Sequence, residues 1–181
     1  DEAYADRVLA QFSAGDILLL QNEISALPYI LEKAHARGME IWLNPSPMNE
    51  NVLKCNLSLV SVFVLNEVEG EQLTGTKIPT AILDKLLQKY PHAAAVLTLG
   101  SKGAWYAKED KRAFAPAELV RAVDTTAAGD TFTGYFMRGM LDGLSPKKSL
   151  ILAAKAAAIA VSRPGAAPSI PLYAEVTNER N

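Results

Sequence analysis

Four short apolar runs, set between stretches of helical spacing, constrain this chain more than any other feature. Ile17 to Leu20, Ile41 to Leu43, Val60 to Leu65 and Ala94 to Leu99 are continuous and brief. Runs of that kind read as strands buried on both faces. Between and after them, helices are expected from about Ser25 to Arg37, Thr80 to Lys89, Asp130 to Leu141 and Pro146 to Ser162. Tyr4, Val8, Leu9 and Phe12 recur at helical spacing and predict a helix at the start. Pro28 suits a first helical turn, Gly38 a C-terminal cap, and Ser145-Pro146 a helix start. Trp105-Tyr106 and Ala113-Phe114 read as a more polar hairpin pair. Strands alternating with helices predict an α/β fold: a three-layer, mostly parallel, Rossmann-like sheet flanked by helices. No repeat, low-complexity tract or linker interrupts the pattern, so residues 1–181 are expected to form a single α/β domain. Pro164 to Pro171 reads as a loop, and the last residues are expected to fray.

Composition removes several classes of function. With 49% hydrophobic and 21% charged residues the chain can bury a core. Its 18 Lys and Arg against 20 Asp and Glu leave a net charge of -2, so no basic surplus points to nucleic acid or acidic lipid. No apolar stretch is long enough to span a membrane, and no secretory signal is read at the start. The lone Cys55 excludes an internal disulfide framework and fits a reducing, cytoplasmic compartment. Two distant histidines, His35 and His92, speak against a zinc cage.

Ligands of open α/β sheets bind at the carboxyl ends of the strands. Three such ends carry unusual polar loops here. In Asp124-Thr125-Thr126-Ala127-Ala128-Gly129-Asp130, small residues let the backbone approach a ligand just before an apolar helix. A helix N-terminus favours anions, and Asp130 adds a carboxylate in the same turn. That combination suits phosphoryl transfer to an alcohol, with amides on the phosphate and the carboxylate taking the hydroxyl proton. The plainer alternative is that Asp130 only complements the helix dipole. Asn66 and Glu69 are hard oxygen ligands three residues apart, although for the pair alone a capped helix start is the favoured reading. Gly100-Ser101-Lys102-Gly103 is a nest of amides for phosphate, or an ordinary turn before a hairpin.

Gly70 to Lys77 imitates a P-loop, but Thr76-Lys77 inverts the required pair and no strand leads into it. Asn56-Leu57-Ser58 is formally a glycosylation acceptor, with no secretory signal to give it meaning. A hydrolase built on the pair Asp124 and Asp130 has no substrate cleft between its carboxylates.

Taken in order, the loops resemble the ribokinase family of carbohydrate kinases, the phosphofructokinase-B type. Asp124 to Phe132 is similar to its C-terminal signature, Asn66-Glu67-Val68-Glu69 to its Asn-x-x-Glu motif, and Leu99 to Gly103 to its nucleotide-phosphate loop. Asn44-Pro45-Ser46-Pro47 and Ser162 to Ser169 resemble two further family segments. The resemblance implies an ATP-dependent kinase acting on a sugar hydroxyl, with Asp130 as base and the amides of Ala127, Ala128 and Gly129 as anion hole. It also implies an ATP site at Asn66, Glu69, Thr98, Gly100, Ser101 and Gly103, with the stretch Ala156 to Ile159 nearer the adenine. Glu23 would lie near the sugar, and Asn66 and Glu69 would support Mg²⁺, largely through water. Asp124, Thr126, Ala160, Arg163, Gly165 and Ser169 would surround K⁺.

Members of the family carry a further N-terminal portion, with most sugar contacts and a small β lid used in dimerisation. The chain thus looks like the C-terminal three-fifths of such an enzyme, of which a homodimer is the expected form. Alone, it is expected to be a poor kinase or an inactive nucleotide-binding fragment, with an exposed sheet edge or apolar face.

Overall fold

The computed structural model describes residues 1–177. Six strands, β1 (Ile17–Gln21), β2 (Glu40–Asn44), β3 (Val62–Asn66), β4 (Ala94–Thr98), β5 (Ala104–Lys108) and β6 (Lys111–Ala115), lie in sequence order across one sheet. β1 and β2 are parallel, in register from Ile17 opposite Glu40 to Gln21 opposite Asn44. β2 and β3 are parallel too, with Trp42 opposite Val62. Glu109-Asp110 joins β5 to β6 in a two-residue turn, a link that only antiparallel neighbours permit. The sheet is mostly parallel and carries helices between its strands, as the alternation predicts.

The chain divides into two compact units: Asp1–Leu97 with Ala107–Lys111, and Thr98–Tyr106 with Arg112 onward. In the first unit, α1 (Glu2–Leu9), α2 (Leu27–Ala36), α3 (Glu50–Leu53), α4 (Glu67–Thr74) and α5 (Pro79–Lys89) accompany the parallel strands. Its core is Leu27, Leu31, Ile41, Leu43, Phe63, Ile82, Leu83 and Leu97, all almost wholly buried. Each such side chain contributes roughly 1.5–3 kcal/mol. Gly70 of α4 permits a close crossing, since a Cβ there would sit 2.8 Å from a methyl of Ile82. The P-loop imitation is therefore helix: Gly70 packs inside α4 and Gly75, at φ 69°, ends it.

The second unit is built on α6 (Ala128–Leu141) and α7 (Pro146–Val161), followed by the short α8 (Tyr173–Thr177). Phe132 and Phe136 stack with centroids 6.5 Å apart, and Tyr106 packs on Phe136 at 6.1 Å. Gly139 lets α7 approach closely, because a Cβ there would meet Ser149 at 2.8 Å.

Two expectations need correction. β1 is not buried on both faces: it is an edge strand, and Leu19 is 41% exposed. An uninterrupted apolar run does not distinguish an edge strand from an inner one. α3 and α8 were not foreseen, because four or five residues are too few to show a helical period. The expected fraying of the last residues, 178–181, lies outside the described residues. Among the described residues no helix is long and apolar enough to cross a membrane.

Candidate functional site

In the second unit the turn after β4 is set by glycine. The Leu99 amide donates to the Gly103 carbonyl at 2.8 Å, and Gly100 and Gly103 stand at φ 55° and 112°. A Cβ on Gly103 would collide with the carbonyl oxygen of Ala115, so no other residue fits.

The turn before α6 is fixed by Asp124. One carboxylate oxygen accepts the Thr126 amide at 2.9 Å and the other the Gly165 amide at 3.0 Å. The hydroxyl of Thr126 first, then its amide and that of Gly165, hold the Asp124 carboxyl below the usual carboxylate range. The amides of Val123 and Asp124 both reach the Val161 carbonyl, at 2.7 and 3.2 Å. Ala127 then takes the left-handed conformation, at φ 62°, and α6 starts with no side-chain cap. The Ala128 amide makes only a long bond, 3.3 Å, to the Thr125 carbonyl. Asp130 stands exposed in the first turn. Next to it Thr131 is 2% exposed, and its hydroxyl finds no partner among the described residues.

These two turns line one cavity of about 370 Å³. Thr98, Gly100, Ser101 and Gly103 supply one wall, and Thr125, Ala128, Gly129 and Phe132 another. α7 contributes Ala154, Ala157, Ala158 and Val161, and the irregular segment Ala117 to Val120 also lines it. The small side chains of α7 open room for a flat ligand, and the turns offer backbone amides to an anion.

Of the stretch expected near the adenine, Ala157 and Ala158 line this cavity and its two ends do not. Ala156 and Ile159 face the other way, packing with Leu152 and Val176. The sequence held the signal for the observed lining, since 154, 157, 158 and 161 fall on one helical face. Nothing in the sequence marked Ala117 to Val120, an irregular segment without a motif. Of the six residues expected around a monovalent cation, Asp124, Thr126 and Gly165 meet directly through the bonds above. The Ala160 carbonyl accepts the Arg163 amide at 3.1 Å. Ser169 is fully buried, its hydroxyl bonded to the Ala166 carbonyl at 2.7 Å. The Arg163 guanidinium pairs with Glu175 at 2.6 Å.

In the first unit, Asn66 and Glu69 form a complete capping box on α4. The Asn66 side chain accepts the Glu69 amide at 3.0 Å, and the Glu69 carboxylate accepts the Asn66 amide at 2.9 Å. The other Glu69 oxygen takes the Asn66 side-chain amide, also at 2.9 Å, and Glu69 is 5% exposed. At the carboxyl end of β1, Asn22 is buried and ties to the Asn44–Pro47 loop. Its backbone amide reaches Ser46 at 3.0 Å and its side-chain amide reaches Pro47 at 2.5 Å. Glu23 follows it, exposed. Among the described residues no three His, Cys, Asp or Glu side chains gather in a metal-holding group.

Known proteins resemble this chain in both sequence and fold. Ribokinase of Schizosaccharomyces pombe is 36% identical over 194 residues, covering 100% of this chain and 60% of that protein. Ribokinase of Haemophilus influenzae is 33% identical, covering 92% of this chain and 56% of its own length. The structure of Arabidopsis thaliana ribokinase complexed with ribose and ATP superposes with a TM-score of 0.76 at 30% identity, over 88% of this chain and 54% of that one. The chain thus spans little more than half the length of the proteins it matches. The sequence pattern of the pfkB family carbohydrate kinase extends over residues 3–172. With both turns of the cavity inside that span, the chain belongs to the pfkB family of carbohydrate kinases.

Proposed function

We propose that this chain is the nucleotide-binding and catalytic portion of an ATP-dependent kinase that phosphorylates a sugar hydroxyl. The observation that carries the reading is the single cavity lined by both the Gly100–Gly103 turn and the first turn of α6. Its apolar α7 wall suits a nucleobase, and its two turns suit phosphates. The amides of Ala127, Ala128 and Gly129 would stabilise charge on the moving phosphoryl group. The Ala128 amide would exchange its long bond to Thr125 for the ligand. Asp130, exposed in that turn, would accept the hydroxyl proton. For the first unit, Asn66 and Glu69 are assigned to Mg²⁺ and phosphate through water, and Glu23 to the sugar, on family resemblance. Both Glu69 oxygens already accept bonds from Asn66, which fits a contact through water better than direct ligation.

The donor chemistry at Asp124 also fits a monovalent cation. The Gly165 bond ties the Asp124 carboxylate to the loop after α7, whose backbone supplies carbonyl oxygens, and hard oxygen donors suit hard cations. A bound cation would supply fixed positive charge beside the turn. The residues Asp124, Thr126, Ala160, Arg163, Gly165 and Ser169 are proposed to hold it.

Calorimetric titration of the chain with ATP, in the presence of Mg²⁺ and K⁺, tests the reading. Saturable one-to-one binding is expected, and Ala157→Leu, which fills the cavity from α7, should remove it without unfolding the chain. Absence of binding to the folded native chain would overturn the assignment.

A further inference from the structure

The helix α8 is joined to the proposed phosphate-facing turn by a continuous set of polar contacts that begins at Glu175, a residue outside the motifs read in the sequence. Glu175 uses both oxygens: one takes the Arg163 guanidinium at 2.6 Å, the other the Leu172 amide at 2.7 Å. Arg163 opens the loop whose Gly165 amide donates to Asp124 at 3.0 Å. The second oxygen of Asp124 holds Thr126, one residue before left-handed Ala127. α8 is itself seated firmly: Val176 is buried with Leu152 and Ala156, and the Tyr135 hydroxyl bonds the Pro171 carbonyl at 2.6 Å.

We propose that Glu175 is a positioning residue, acting through Arg163 to hold the 163–165 loop, and with it the Asp124–Gly129 turn, in the geometry that presents the α6 amides. The proposal rests on the reading of that turn as phosphate-facing. Both partners of the pair are part-exposed, so its contribution to global stability is small. Its effect is local, on two amides that the loop and turn share with Asp124.

Amide hydrogen exchange on the full chain decides it. In Glu175→Gln, which keeps an acceptor for Leu172 but loses the ion pair, the Gly165 and Thr126 amides should exchange about fivefold faster, while interior amides of α6 and α7 stay within about twofold. Arg163→Gln should reproduce the change, and the double variant should add nothing, as expected for residues acting as one unit. Unchanged exchange at Gly165 and Thr126 would overturn the proposal. So would equal acceleration throughout α6 and α7, which marks general loosening, and so would additive effects of the two substitutions. ADP titration of the same proteins separates the two readings. If the native chain binds no ADP, the phosphate-facing assignment falls, whereas the exchange pattern by itself decides whether Glu175 holds the turn. If ADP binds, Glu175→Gln should weaken it about threefold or more, on the scale of a lost surface ion pair.

Discussion

Two helix starts in this chain have nearly the same sequence recipe and opposite outcomes. α4 begins with Asn66 and an acidic residue at its third position, and every capping group is consumed internally: Asn66 and Glu69 bond one another three times. α6 begins with left-handed Ala127 and an acidic residue at its third position, and no side chain caps it. The first arrangement spends its polar groups on the fold. The second leaves its first turn without a side-chain cap, with Ala128 and Gly129 lining a cavity and a carboxylate in the same turn. The difference lies less in the acidic residue than in the residue at the cap, where Asn can fold back onto the helix and Ala cannot.

The comparison breaks most sharply at Asp130. Asp130→Asn should lower phosphoryl transfer by about 10²–10⁴-fold wherever transfer is measured, and leave ATP affinity nearly unchanged. A collapse of ATP binding instead would make α6 as structural as α4. Next in size is Asn66→Ala, which strips the cap and orphans the buried Glu69. It should cost about 2 kcal/mol in denaturant unfolding, with the slope of the transition unchanged. A loss below a few tenths would mean that water replaces the capping box. Ala127→Gly should stabilise by up to about 1 kcal/mol, because glycine accepts the left-handed backbone that alanine resists. A lower melting temperature would show that Ala127 is held there by contacts of its methyl. The smallest effect is expected for Thr131→Val, which replaces an unpartnered buried hydroxyl with a methyl of similar size. Stability should stay level or rise by less than about 1 kcal/mol. A clear fall would reveal a partner for that hydroxyl.

The fold was legible where periodicity runs long. The four apolar runs became β1 to β4, and the Trp105 and Phe114 segments became the hairpin, with rings 4.9 Å apart. What remained hidden has physical causes. Edge and inner strands share one pattern when their neighbours are unknown, so Leu19 was misjudged. Helix phase matters to a single residue: the expected stretch Ala156 to Ile159 held Ala157 and Ala158, which line the cavity, but also Ala156 and Ile159, which pack away from it. The reciprocal bonds of Asn66 and Glu69 were foreseen as one of two alternatives, because a capping box and a ligand pair use the same letters. The Arg163–Glu175 pair was not foreseen at all, since twelve residues and an irregular loop separate its partners.

The edge position of β1 has a practical consequence. Its residues Ile17 to Leu20 carry no charge, and β2 pairs along one side only. A strand of that kind offers an open row of backbone donors and acceptors, and its own residues place no charge against a second strand. In concentrated solution, the first failure of the isolated chain should therefore be strand-to-strand association through β1, well before α6 or α7 melts. A single lysine at Leu19, whose side chain is already 41% exposed, should delay it.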